Sequence, residues 1–573
     1  MTSVPASSPA RTRRPGRTLA VSSVVLVSLG LLPGAVAAPA PTPAPAPVSP
    51  LAKGLPPVWP EAGAPIPAVP TITWQRCDEA GQRKLGLQCA TAKVPLDYAH
   101  PSKASILIDL VRHKATAPKS KGAVFVNPGG PGNAATGSMG RFLEVLGTPV
   151  TSQYDVIGMD PRGIGVDSLA ACWSDKEAPD KPAGFPVTLA EAKKQIARDT
   201  FERRACDKVG HPIIDHMTTG DVARDMDLVR QAVGDPQLSY YGVSYGTVLG
   251  ATYAAMFPTK VRGLVLDGVV NPVDWTTGRG DQGTRIPSSL RTGSAAGADE
   301  SLKAAFAACA AAGKARCRHG ATIAAEWDQL LATLAKGPVT SGGATYTRTD
   351  TIASVMPSLY DVDAIPALLD WIHDEYLAVV KKSARKVSKP QVQGLVPPAL
   401  GLPKPGPAKP APAKPGPVVS PTTGNSDDSV WRDTFKQAGV ICSDAVNPKD
   451  PMVWHTTATA AAKTSWFAPL WTWQSSLCAG WPGSHADAYW GPFDVKPAHP
   501  LLVVGNLHDP ATPYANAKAV AAMSPGARLL TVDTFGHAAG DQSPCATKAM
   551  QSYLLTGALP AAGTVCKPAK PLF

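Results

Sequence analysis

The stretch that most restricts what this chain can become is Leu238-Ser-Tyr-Tyr-Gly-Val-Ser-Tyr-Gly-Thr-Val-Leu-Gly250. Leu238, Tyr240 and Tyr241 read as the end of a buried strand, and Thr247 to Phe257 read as a helix stopped by Pro258. Between them lies Gly242-Val243-Ser244-Tyr245-Gly246, a G-x-S-x-G. A strand that turns straight into a helix strains its central residue and crowds the neighbouring backbone, so the positions two before and two after must be small. Ser244 is then left exposed at the apex, above a helix N-terminus whose unpaired N–H groups and dipole favour an oxyanion. A Gly-rich turn with an idle serine would read the same way, so partners elsewhere in the chain have to decide.

Short apolar runs bounded by turn residues recur around this stretch, at Ser105 to Val111, Gly122 to Val126, Tyr154 to Asp160 and Val261 to Val269. They alternate with helical patterns such as Asp221 to Val233, which predicts an α/β chain with a mostly parallel sheet wrapped by helices. After Val269 the alternation stops for more than two hundred residues and helical stretches replace it, together with a Pro/Lys/Ala-rich segment. An insertion at the carboxyl end of a strand opens on the ligand side of such a sheet, so it is expected to form a cap over the site. The sheet pattern returns at Pro500 to Val504, followed by a loop with Asp509, and again at Ala527 to Asp533, followed by His537 in a Gly-flanked loop.

Ser244, Asp509 and His537 thus stand in the order nucleophile, acid, base, which distinguishes one class of serine hydrolase from the chymotrypsin and subtilisin orders. His508 and Asp533 are rivals. Asp509 is preferred because it starts the loop at the strand end, and His537 because it alone follows the last strand. The loop Asn127-Pro-Gly-Gly-Pro-Gly132, directly after a strand, is read as an oxyanion loop whose backbone N–H groups can approach a ligand atom. Asp160-Pro-Arg-Gly163 is given no direct chemistry. Six tryptophans between Trp454 and Trp490 suit the core of a cap better than a pocket lining.

Arg11, Arg13, Arg14 and Arg17 precede an apolar segment, Leu19 to Leu32, and a small-x-small Ala35-Val-Ala37, which together read as a secretory signal peptide at 1–37. Whether the Sec or the twin-arginine route is used stays open. No later run is long enough to span a bilayer. The net charge of +11 does not imply a nucleic-acid partner: the four leader arginines and the eight lysines or arginines between Lys381 and Lys414 already exceed it.

Ten cysteines in an exported chain imply disulfides. Sequential pairing, Cys77 with Cys89, Cys172 with Cys206, Cys309 with Cys317, Cys442 with Cys478 and Cys545 with Cys566, closes the shortest loops, although spacing leaves the connectivity open. No metal site is expected, because no C-x-x-C occurs and the histidines lack ligand spacing, and no cofactor is expected.

With these residues on the page, a resemblance emerges. Asn127 to Gly132, Tyr154 to Gly163, Gly242 to Thr247, Gly505 to Pro513 and Gly536-His537 resemble, as an ordered set, the secreted bacterial tripeptidyl aminopeptidases, α/β-hydrolase serine exopeptidases related to the proline iminopeptidases. The resemblance runs from about Trp74 to Cys566 and departs in the long Pro/Lys-rich insertion. It implies an α/β-hydrolase fold with a large, mainly helical cap inserted before the last two strands. The corresponding boundaries are a leader at 1–37, a Pro/Ala-rich segment at 38–70 and a core at 71–270. A cap at 271–495, with its Pro/Lys-rich loop at about 386–425, and a closing core part at 496–573 complete the chain.

It also implies a triad of Ser244, Asp509 and His537, with the N–H groups of Tyr245 and Gly130 as oxyanion donors and Gly129 as the less favoured second donor. Exopeptidases need a group for the substrate's free amine, and Asp444 is the candidate, with a plain surface acid as the alternative. The expected protein is a secreted monomer acting on peptide or protein N-termini, either free or held at the cell wall. A carboxylesterase or a prolyl aminopeptidase of the same fold is the alternative.

Overall fold

A computed structural model describes residues 66–383, 387 and 430–573. The leader, the Pro/Ala-rich segment up to 65 and nearly all of the Pro/Lys-rich loop lie outside the described residues. The strands in chain order are β1 (Gln75–Arg76), β2 (Gln88–Pro95), β3 (Ser105–His113), β4 (Ala123–Asn127), β5 (Asp155–Met159), β6 (Ala171–Ser174) and β7 (Leu238–Val243). There follow β8 (Val261–Asp267), β9 (Val339–Ser341), β10 (Ala344–Tyr346), β11 (Trp431–Thr434), β12 (Leu502–His508), β13 (Arg528–Phe535) and β14 (Val565–Cys566).

Ten of them form one sheet in the order β1-β2-β3-β5-β4-β7-β8-β12-β13-β14. The pairs from β1 to β5 are antiparallel, and all pairs from β5 through β14 are parallel. The last parallel strand, β14, adds to the two that the sequence pattern predicts after the cap. Only two residues long, it carries no apolar run that could announce it, and the Cys545–Cys566 disulfide ties it to the helix Pro544–Thr556.

The central strands β4, β7, β8 and β12 are buried on both faces, with neighbouring residues in different cores. Phe125, Tyr240, Leu264, Leu266 and Val503 enter one cluster, whereas Val124, Val126, Tyr241, Val265, Leu502 and Val504 enter another on the opposite face. A third cluster lies mainly in the segment between β8 and β12 and includes Leu302, Phe306, Trp327, Leu368, Ile372, Trp454 and Trp473, joined by Phe185 and Ala192 from before β7. Trp481 instead joins the first cluster, and of the six tryptophans noted above Trp471 lines the site cavity.

Chain order reverses at β4, whose successor β5 lies on one side and β7 on the other. In an open parallel sheet such a switch point leaves a crevice at the strands' carboxyl ends. Asn127 sits opposite Gly242 in the register, so the loop after β4 faces the turn after β7. Arg162 braces the neighbouring loop from a fully buried position, donating to both carboxylate oxygens of Asp225 at 2.8 and 2.7 Å and to the carbonyls of Pro95 and Leu96. The five disulfides join the cysteines in sequential pairs. Among the described residues no helix is long and apolar enough to cross a membrane.

Candidate active site

Ser244 stands between β7 and the helix Tyr245–Met256 with φ 59° and ψ −123°, a conformation that costs an ordinary residue about 1–3 kcal/mol. The elbow holds because its flanks carry no side chain: a Cβ on Gly242 would lie 2.4 Å from the Gly246 carbonyl oxygen. The Ser244 N–H donates to the Asp267 carbonyl at 3.0 Å, and its own carbonyl accepts from the Thr247 hydroxyl at 2.6 Å.

Against this elbow lies the loop after β4. A Cβ on Gly129 would approach the Val243 carbonyl oxygen to 2.4 Å and Tyr245 N to 2.9 Å, so only glycine fits there. The Gly129 N–H is spent on the Asn127 side-chain oxygen at 2.9 Å. Tyr245, as the first residue of its helix, has no intrahelical acceptor for its N–H.

Asp509 and His537 come together after β12 and β13. His537 Nδ1 lies 3.0 and 3.1 Å from the two Asp509 oxygens. The fully buried carboxylate also accepts from the N–H groups of Ala511, Thr512 and Ala538 and from the Thr512 hydroxyl at 2.9 Å. Burial pushes the Asp509 carboxyl up, but the adjacent His537 and these donors outweigh it and hold it below its ordinary value. Ser244, His537, Gly130 and Tyr245 line one cavity of about 80 Å³, closed by the cap residues Trp275, Tyr360, Trp471 and Gln474. The rivals lie elsewhere. His508 pairs with Glu300 at 2.8 Å and stacks on Phe535, and Asp533 pairs with Lys567.

Asp444 does not line this cavity. It is buried and accepts from Thr219 N at 2.6 Å, from the Thr219 hydroxyl and from Trp275 Nε1 at 2.9 Å. Burial pushes its carboxyl up to about 6. Its oxygens accept from three internal donors, so it holds the Trp275 ring at the cavity wall and does not itself line the cavity. The sequence position beside Cys442 suggested an anchored acid but could not tell which way it faces.

Three residues near the site escaped the sequence reading. Asp267, at the end of β8, is fully buried and accepts from the Tyr241 hydroxyl at 3.0 Å and from Ala539 N at 2.9 Å, tethering the His537 loop to the sheet. An acid closing a buried strand was its visible signal. Thr512 bridges Asp509 and His537, with its hydroxyl 3.3 Å from Nδ1. Tyr360, from the cap, carries no motif at all.

Two family models match the chain. One described as alpha/beta hydrolase fold covers residues 122–337, and one described as TAP-like protein covers 463–566. The chain is 29% identical over 567 residues to the tripeptidyl aminopeptidase of Streptomyces coelicolor, covering 95% of this chain and 96% of the relative. It is 30% identical over 570 residues to carboxylesterase B of Mycobacterium tuberculosis, covering 95% and 98%, and 28% identical over 538 residues to serine protease Hip1 of the same species, covering 88% and 92%. An elbow serine at the switch point of this sheet, matched along nearly the whole chain, makes it a member of the tripeptidyl aminopeptidase-like family of α/β-hydrolases.

Proposed function

We propose that the chain is an exported serine exopeptidase that cleaves short peptides, tripeptides foremost, from free N-termini. Ser244 Oγ attacks the scissile carbonyl carbon as His537 takes the hydroxyl proton. Asp509 keeps the imidazole in the tautomer that leaves the other nitrogen free to accept, and stabilises it once charged. The N–H groups of Tyr245 and Gly130 receive the oxyanion, since the Gly129 N–H is already occupied. His537 then protonates the leaving amine, and water, deprotonated by the same imidazole, releases the acyl group. Residues 271–495 serve as the cap that limits how far a chain can thread past Ser244.

The observation that carries this reading is the buried Asp509–His537 pair at 3.0 Å, opening into the same capped cavity as the strained Ser244. A nearly full-length relative named tripeptidyl aminopeptidase supports the peptide substrate.

One observation favours a carboxylesterase instead. No Asp or Glu is among the described residues lining the Ser244 cavity, so a substrate ammonium would meet only neutral oxygens such as those of Asn133, Gln437 and Gln474. A relative named carboxylesterase B points the same way. Initial rates on an unblocked tripeptide anilide, its N-acetylated form and a short-chain ester separate the two. At least tenfold preference for the free amine is expected of the exopeptidase, and indifference to acetylation with fast ester cleavage would replace it with the esterase.

A further inference from the structure

His319, Glu326, Asp370 and His373 are scattered over the cap sequence at spacings that match no metal motif, yet the fold collects them at one point. His319 follows the Cys309–Cys317 disulfide, Glu326 lies in the first turn of the helix Ile323–Leu334, and Asp370 and His373 lie one turn apart on the helix Ile365–Val379. His373 Nδ1 is 2.7 Å from Glu326 Oε2, and His319 Nε2 is 2.7 Å from Asp370 Oδ1. The two imidazole ring centroids lie 4.7 Å apart, with the ring planes tilted by 39°. One ligand atom from each of His319, Glu326 and His373 lies within 4.8 Å of the other two.

The geometry points to a zinc site formed by His319, Glu326 and His373. Bonds of about 2.0–2.2 Å to a tetrahedral ion put its donors roughly 3.3 Å apart, so the three side chains need close in only by rotamer-scale adjustments. Two imidazoles with one carboxylate suit Zn²⁺, whereas Ca²⁺ and Mg²⁺ demand oxygen-rich shells. Asp370 stands outside the trio and holds the His319 ring, as carboxylates commonly do for metal-bound histidines, while Arg318 donates to Asp370 at 2.7 Å and balances its charge. His319 is buried and His373 partly open, which leaves a solvent-side approach for the ion and a fourth position for water. Bound there, the ion would cross-link the segment after the disulfide to the helices Ile323–Leu334 and Ile365–Val379. None of these four residues lines the Ser244 cavity.

The alternative is two His–carboxylate ion pairs that merely brace the helices, and direct metal binding tells them apart. Metal-stripped mature protein, as the wild type and as His373→Gln and Glu326→Gln, is dialysed against Zn²⁺ alone, with bound zinc counted by mass spectrometry and Tm measured at each concentration. Expected is one zinc per wild-type chain with a rise in Tm, and a Kd at least about tenfold weaker in both variants. Catalytic activity is not the readout, because Zn²⁺ on His537 would inhibit without touching the cap. Absence of bound zinc in the wild type, or wild-type stoichiometry and affinity in either variant, overturns the site.

Discussion

The Tyr360 carbonyl of the cap accepts the backbone N–H of His537 at 2.9 Å, and the Tyr360 ring meets the imidazole edge to face with centroids 5.0 Å apart. His537 is therefore held by Tyr360 as well as by Asp509. Tyr360 and His537 also stand between the inner cavity of about 80 Å³ and an outer one of about 750 Å³. Tyr360→Ala is expected to lower kcat/KM about fivefold, since an aromatic contact of this kind is worth about 1 kcal/mol. It should also broaden the lengths of peptide released, as the partition between the cavities is lost. Tyr360→Phe should keep both properties. Mass spectrometry of products from one long peptide checks this, and an unchanged length distribution in the alanine variant would remove Tyr360 from the partition.

Replacing Ser244 separates chemistry from folding. Ser244→Ala should reduce kcat by about four to six orders of magnitude. Ser244→Gly should be equally inactive yet more stable than wild type by about 1 kcal/mol, because φ 59° is strained for any residue with a Cβ. Denaturant midpoints read the stability and burst kinetics the activity. Near-normal turnover in either variant would mean that another nucleophile acts.

Gly129 tests the loop against the elbow. Gly129→Ala puts a methyl group 2.4 Å from the Val243 carbonyl oxygen at φ 82°, where neither partner is a flexible side chain. A loss of at least about 2 kcal/mol in stability is expected, with kcat falling more than KM rises, because the oxyanion donors are displaced. A variant with wild-type kcat would show that this loop stands away from the reacting carbonyl.

Much of this was legible beforehand, for identifiable reasons. Ser244, Asp509 and His537 follow strand ends, and strand ends are written in apolar runs that stop at turn residues, so position along the chain located them. The two faces of β4, β7, β8 and β12 follow from period-two alternation. Where Asp444 faces was not legible, because facing depends on which helix packs where: the same acid beside Cys442 could point at the cavity or, as it does, at Thr219 and Trp275. Tyr360 and the His319 cluster were invisible for a similar reason, since contacts between segments distant along the chain leave no periodic trace in either partner's sequence.

Asp267 gives a pH signature. Burial pushes its carboxyl up to about 6, against the Ala539 N–H and the Tyr241 hydroxyl. With the unfolded value near 3.9, the native state holds more protons between about pH 4 and 6, so stability falls as pH rises through that window. Asp267→Asn lacks this titration. Wild-type stability relative to that variant should therefore decline from pH 4 to 6, by at most about 1.4 kcal/mol per pH unit. Urea unfolding of both proteins at several pH values measures it, and a constant difference would show that the donors outweigh burial.

Leu502 on β12 lies beside Val265 on β8, so the chain leaves the sheet after Asp267 and returns on the very next strand. The two ends of the connection from 268 to 501 are already neighbours, and lengthening such a connection twofold costs only about 0.6 kcal/mol. Selection can thus lengthen or shorten what sits over Ser244 without moving the ends of β8 and β12 apart. Diversification within this architecture has its cheapest route through that single doorway between two adjacent strands.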